Sequence, residues 1–117
     1  MKCEKLDVWK RACRLSIEVY TYFKDNKDYA FKDQITRSSL SIASNIAEGM
    51  EKEYIKENIR FIEISKGSTA ELITQIYIGI EIYYITKETG FKWTKEANEI
   101  LKMLNGLKRN LKAKENT

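Results

Sequence analysis

A chain of 117 residues has room for one domain with a real core. Its 43% apolar and 32% charged residues are ordinary for a globular fold. No run approaches the roughly 18 apolar residues of a membrane span, and the opening MKCEKLDVW has no apolar leader, so a cytoplasmic location and no membrane partner are expected. The net charge of +4 is mild. Its excess falls in the first 25 and the last 29 residues, which permits contact with nucleic acid without requiring it.

The absence of proline suits long helices, and periodicity decides against strands although isoleucine is abundant. A first helix is predicted over about 7–23, from Val8, Ala12, Leu15, Val19 and Phe23, with Asp7 as its cap. The polar run Lys24-Asp25-Asn26-Lys27-Asp28 ends it. A second helix is predicted over about 33–48, from Ile35, Ser39, Ile42 and Ile46, closed by Gly49 as a left-handed residue. Its many serines and alanines would let a neighbour approach closely.

A third helix is predicted over about 53–86 and should be the longest. Ile76, Ile78, Ile80 and Ile82 alternate as in a strand, but a lone strand would leave its backbone unpaired, so helix is preferred. Gly67 and Gly79 are its candidate bend points. After a turn at Glu88-Thr89-Gly90, a fourth helix is predicted over about 95–112, capped by Thr94 and liable to fray at Asn105-Gly106. Residues 1–117 therefore read as one all-α domain, an antiparallel up-down four-helix bundle.

The chemistry available is narrow. Histidine, the commonest general base and metal ligand, is absent. No glycine-rich phosphate loop occurs, and Cys3 and Cys13 stand at no metal-ligand spacing and read as reduced thiols. No catalytic residue, metal site or cofactor is expected, and the chain is read as a non-enzyme.

Gln34, Arg37, Ser41, Asn45 and Glu48 form a polar stripe on helix 2, and Ser68, Glu71 and Gln75 form a similar one on helix 3. A structural network that fixes packing register is the preferred reading; a ligand or nucleic-acid site is the alternative. On helix 4, Lys95, Asn98, Lys102, Asn105, Arg109 and Lys112 recur at steps of three and four, and no acid occupies a position of that line. Together with Lys10, Arg11 and Arg14 of helix 1 they are the candidate phosphate contacts. Ile73, Tyr77, Ile78, Ile82, Tyr84 and Ile85 cannot all face one core, which makes them a candidate self-association surface.

Gln34, Arg37, Ser41-Ile42 and Asn45-Ile46-Ala47-Glu48-Gly49 resemble the pattern QxxRxxxSIxxNIAEG of the bacterial four-helix bundle proteins, also called 23S rRNA intervening-sequence proteins. Phe61 to Ser68 with Glu71-Leu72 is similar to that family's FLxIAxGSxxEL, and Leu6-x-Val8-Trp9-x-x-Ala12 to its opening helix. The chain departs from the pattern at Phe31, Ser65 and Lys66, and at Glu51-Lys52-Glu53. The resemblance implies a homopentamer associated with intervening sequences of ribosomal RNA genes. A related branch, the accessory subunit of diversity-generating retroelements, binds nucleic acid and a reverse transcriptase. An oligomeric RNA- or DNA-binding bundle is thus expected, with a scaffold that docks a protein partner as the alternative.

Overall fold

The computed structural model describes residues 1–116. After a 3-10 turn at Lys2–Lys5, four helices follow: α1 (Asp7–Phe23), α2 (Tyr29–Met50), α3 (Ile55–Glu81) and α4 (Lys87–Glu115). Sequential neighbours pack against each other and α4 returns to α1, giving the expected antiparallel bundle, 50 × 20 × 20 Å. Among the described residues there is no strand, and no helix is long and apolar enough to cross a membrane.

The core is the sum of four apolar stripes. Ala12, Val19, Ile35, Ile42, Ile46, Ile62, Leu72, Ile76, Ala97, Ile100 and Leu104 are completely buried. At the end where α1 finishes, Phe23 sits among Tyr22, Phe31 and Trp93, and Phe31 meets Tyr84 edge-on at 5.4 Å. Both cysteines are free, Cys3 buried and Cys13 half-buried, and desolvation pushes each thiol pKa up.

The helix ends depart from expectation for local reasons. In α1, Leu6 holds the cap position and Asp7 is the first helical residue, where its carboxylate faces the positive end of the helix dipole. Helix α2 starts earlier than predicted because the Asp28 carboxylate accepts a hydrogen bond from the Phe31 N–H at 3.2 Å. At the other end of α2, Gly49 is not left-handed, and no glycine has a positive φ. Gly49 is helical and buried, and a Cβ there would lie 2.6 Å from the Phe61 Cβ. The carbonyls at this end are closed by Asn58 of α3, whose side-chain amide donates to Gly49 O at 2.6 Å and to Lys52 O at 3.0 Å.

Helix α3 runs unbroken through Gly67 and Gly79 but stops at Glu81. Tyr83 is left-handed at φ 65. The Tyr84 N–H donates to Gly79 O at 2.9 Å and the Tyr83 N–H to Ile80 O at 3.1 Å, the paired bonds of a Schellman closure with tyrosine where glycine is usual. The reversal turns Ile85 into the core. Helix α4 then begins at Lys87, because the Thr86 hydroxyl accepts from the Thr89 N–H at 3.2 Å; Thr94 is interior. Gly90 is likewise helical, and a Cβ on it would collide with the end of the Ile80 side chain. The early start, and continuation past Gly106 to Glu115, give α4 29 residues against 27 for α3.

Candidate nucleic-acid interface

Long charged side chains tie α4 to both of its neighbours. On the α1 side, Arg11 donates through Nε to Glu96 at 2.8 Å and through Nη2 to Glu96 and Glu99 at 2.5 and 2.7 Å. On the α3 side, Lys108 reaches Glu63 at 2.5 Å. The hydrogen bond from Arg11 holds the Glu96 carboxyl below its ordinary pKa and raises that of the guanidinium; Lys108 acts on Glu63 in the same way. Arg11 is therefore committed to internal acids and leaves the set of expected phosphate contacts.

Beside this pair the α1–α4 seam opens into a cleft of about 520 Å³. Leu15 and Trp93 form its floor, and Arg14, Lys92 and Lys95 stand around it with Glu18. Lys92 pairs with Glu18 at 3.2 Å, and the Trp93 indole N–H points to the same carboxylate at 3.4 Å. Sequence reasoning missed both the cleft and Lys92, since neither stands out in the spacing of either helix alone.

The remaining predicted cations stand differently. Lys10, Arg14, Lys95, Lys102, Arg109 and Lys112 are all exposed, and none forms an ion pair among the described residues. Helix α4 is continuous over its whole basic line, so Lys95 to Lys112 extends about 26 Å on the side away from the core. Asn98, within that line, donates back to Thr94 O at 3.0 Å.

The polar stripes of α2 and α3 meet only in part. The hydroxyls of Ser41 and Ser68 share a hydrogen bond of 2.8 Å, and the Asn45 amide donates to the Ser41 hydroxyl at 2.9 Å and to its carbonyl at 2.8 Å. Ser65, outside the predicted set, donates to Ile42 O at 2.9 Å and belongs to the same seam. Gln34, Arg37 and Glu71 border a hollow of about 160 Å³ beside Ser41 and Ser68, and their side chains form no hydrogen bond among the described residues. Glu48 is exposed, and among the described residues it forms no ion pair and no side-chain hydrogen bond, the expected one from the Trp9 indole included. Gln75 is half-buried, and its Oε1 has no hydrogen-bond partner among the described residues.

The predicted apolar surface also divides. Ile85 is 3% exposed and is core, a correction that follows from the turn at Tyr83. Ile73 and Tyr84 pack against the core, and the Tyr84 hydroxyl donates to Asp28 at 2.8 Å. That bond holds Asp28 below its ordinary pKa and raises the tyrosine's. Tyr77, Ile78 and Ile82 stay on the surface, joined by Tyr83, which is 94% exposed.

The bundle, its serine-lined α2–α3 seam and its Gly49 crossing are the features that the two sequence blocks encode. The family described as 23S rRNA-intervening sequence protein matches residues 4–106. This chain belongs to that family. Its fold is shared with a crystal structure of a protein of unknown function from the S23 ribosomal protein family of Bacteroides thetaiotaomicron, at a TM-score of 0.81 and 23% identity, covering 86% of this chain and 97% of the other. No curated protein matches the chain. Family membership covers all four helices up to Gly106, so the end of the basic line, Arg109 and Lys112, lies beyond the matched region.

Proposed function

We propose that this family member is a non-enzymatic, self-associating bundle that binds structured nucleic acid, ribosomal RNA first, along the basic line of α4. The observation that carries the reading is the set Lys95, Lys102, Arg109 and Lys112: exposed, without ion pairs among the described residues, and on one face of one continuous helix. Lys10 and Arg14 extend the positive surface across the α1–α4 seam. Such a row meets backbone phosphates without reading bases, which suits recognition of a folded RNA by shape. The family's description names 23S rRNA intervening sequences, and that supports RNA over DNA in this reading. Assembly into a pentamer would multiply a net charge of +4 per chain and strengthen a phosphate-dominated contact. The site of action is the cytoplasm, and no metal or cofactor takes part.

The test is a triple reversal, Lys102→Glu, Arg109→Glu and Lys112→Glu. Affinity for a structured ribosomal RNA fragment should fall by roughly 100-fold or more while helical content is retained. Unchanged affinity contradicts the reading.

A scaffold that docks a protein partner is the second reading. It rests on exposed aromatics at the end of the bundle where α3 gives way to α4: Tyr77 at 67%, Tyr83 at 94% and Phe91 at 66% exposure. A partner held there would bind with little dependence on salt and would be lost on replacing Tyr83 and Phe91.

A further inference from the structure

The α1–α4 cleft does not end at Glu18. A second hollow of about 340 Å³ continues it towards the end of α1, and Glu18, Lys92 and Trp93 border both lobes. The first lobe has a cationic rim. Arg11 is engaged by Glu96 and Glu99, and Lys92 by Glu18, so the exposed Arg14 and Lys95 are the cations left for an incoming group. Four cations and three carboxylates border this lobe, a surplus of one positive charge.

The second lobe is walled by Ile17 and Tyr22, which are 66% and 39% exposed. The Tyr22 ring is held in place: it meets Trp93 edge-on at 5.1 Å, and its hydroxyl accepts from the Thr86 N–H at 3.1 Å. Beside it, the hydroxyls of Thr21 and Thr89 form no hydrogen bond among the described residues. A fixed aromatic ring, an aliphatic wall and free hydroxyls are the groups that receive a nucleobase once it has left its stack. Arg14 and Thr21 are seven residues apart, about 10 Å along α1, which is the reach of one nucleotide from its phosphate to the edge of its base.

We infer that this two-lobed groove holds one unpaired nucleotide of a bound RNA, with its phosphate between Arg14 and Lys95 and its base against Ile17 and Tyr22. Charge selects the source of the nucleotide. A phosphodiester within a chain carries one negative charge, which the surplus matches, whereas the phosphate of a free mononucleotide carries close to two and would sit beside three carboxylates with one charge unmatched. Continuity points the same way, because Lys95 belongs both to the groove and to the basic line of α4. An RNA laid along Lys102, Arg109 and Lys112 passes the mouth of the groove at the Lys95 end of that line. This occupancy rests on the proposed RNA reading and deepens it. Phosphates along α4 supply affinity, and the displaced nucleotide supplies a preference for RNA with a bulge over continuous duplex.

The experiment uses the full chain and two hairpin RNAs that differ by one bulged adenosine. The wild type should bind the bulged RNA about 10-fold or more tighter than the paired one. Thr21→Trp places a large side chain in the base lobe from an exposed position, and it should bring that ratio to about one. Arg14→Gln removes a phosphate partner while leaving the base lobe open, and it should weaken the bulged RNA more than the paired one. Circular dichroism confirms that both variants are folded. Equal affinity of the wild type for the two RNAs overturns the proposal and leaves phosphate binding along α4 standing. Failure to bind either RNA removes the proposed function and the groove's role together. A bulge preference that survives both variants overturns the groove as its site. Free adenosine monophosphate separates the other source of the same chemistry: if it saturates the chain at micromolar concentration and Thr21→Trp abolishes that binding, the groove belongs to a free nucleotide and the assignment to RNA is overturned.

Discussion

Along the α2–α3 seam, Gly49, Ser41, Ser65 and Ser68 let two helices touch and exchange short hydrogen bonds between small side chains. Along the α1–α4 seam the helices stand apart around a cleft of about 520 Å³, and Arg11 and Lys92 bridge it with long, half-solvated side chains. The difference teaches how one bundle divides its labour. Small residues convert sequence into close packing, which tolerates little change in volume. Long charged residues hold a neighbour by weaker, salt-sensitive bonds and leave a groove that solvent, ions or a partner can enter. The tight seam sets the register of the fold, and the basic line that we assign to nucleic acid lies on the helix that completes the loose one.

If that division is right, substitutions at the tight seam should cost more than those at the loose one. The largest effect is expected at Asn58. It is 7% exposed, and replacing it with alanine removes the donor to two carbonyls at the end of α2. A loss of about 2 kcal/mol is expected in urea unfolding. Next is Gly49→Ala. Alanine favours a helix by about 1 kcal/mol, but its Cβ would lie 2.6 Å from the Phe61 Cβ and 3.3 Å from the Asn58 carbonyl, which cannot swing aside as a long side chain could. Overpacking of about 1–3 kcal/mol should outweigh the gain and leave a net destabilisation.

At the loose seam, Arg11→Met should cost only about 1 kcal/mol, since Glu96 and Glu99 can be rehydrated, and the cost should shrink further in high salt. This pair also has a pH signature. Glu96 titrates below its ordinary value of 4.5 when folded, so the unfolded chain takes up the proton first. The stabilisation is present at neutral pH and is lost as pH falls through that value towards the folded pKa. Urea midpoints at pH 7 and pH 3 should therefore differ more for the wild type than for Arg11→Met.

The smallest effect is expected at Tyr83. Its φ of 65 costs a tyrosine about 1–2 kcal/mol; Tyr83→Gly would relieve that strain, and glycine's greater freedom in the unfolded state would cancel part of the gain. A gain of about 0.5 kcal/mol is expected, and a destabilised variant would mean that the exposed ring has contacts that the turn geometry does not reveal.

The four-helix plan was legible because each helix carries an apolar stripe with a core spacing, and α1 was legible at both ends because its stripe from Val8 to Phe23 is unbroken and a polar run follows. Glycine was the main source of error. One letter serves both a left-handed helix end and a close helix crossing, and the choice depends on what lies opposite. Opposite Gly49 is Phe61 and opposite Gly90 is Ile80, neither of which can be inferred from local sequence. The close of α3 was hidden because tyrosine, not glycine, holds the left-handed position. Within the candidate site, the basic line of α4 was visible as a period of three and four. The commitment of Arg11 was not, because its acid partners lie 85 and 88 residues away.

The central claim, that exposed cations of this bundle meet phosphates, is tested most directly by the salt dependence of its affinity for a structured ribosomal RNA fragment. Each phosphate contact contributes a slope of about −0.7 to −0.9 in a plot of log affinity against log salt. Four engaged cations on α4 predict a slope near −3 or steeper. A slope close to zero, or no binding at low salt, would contradict the account.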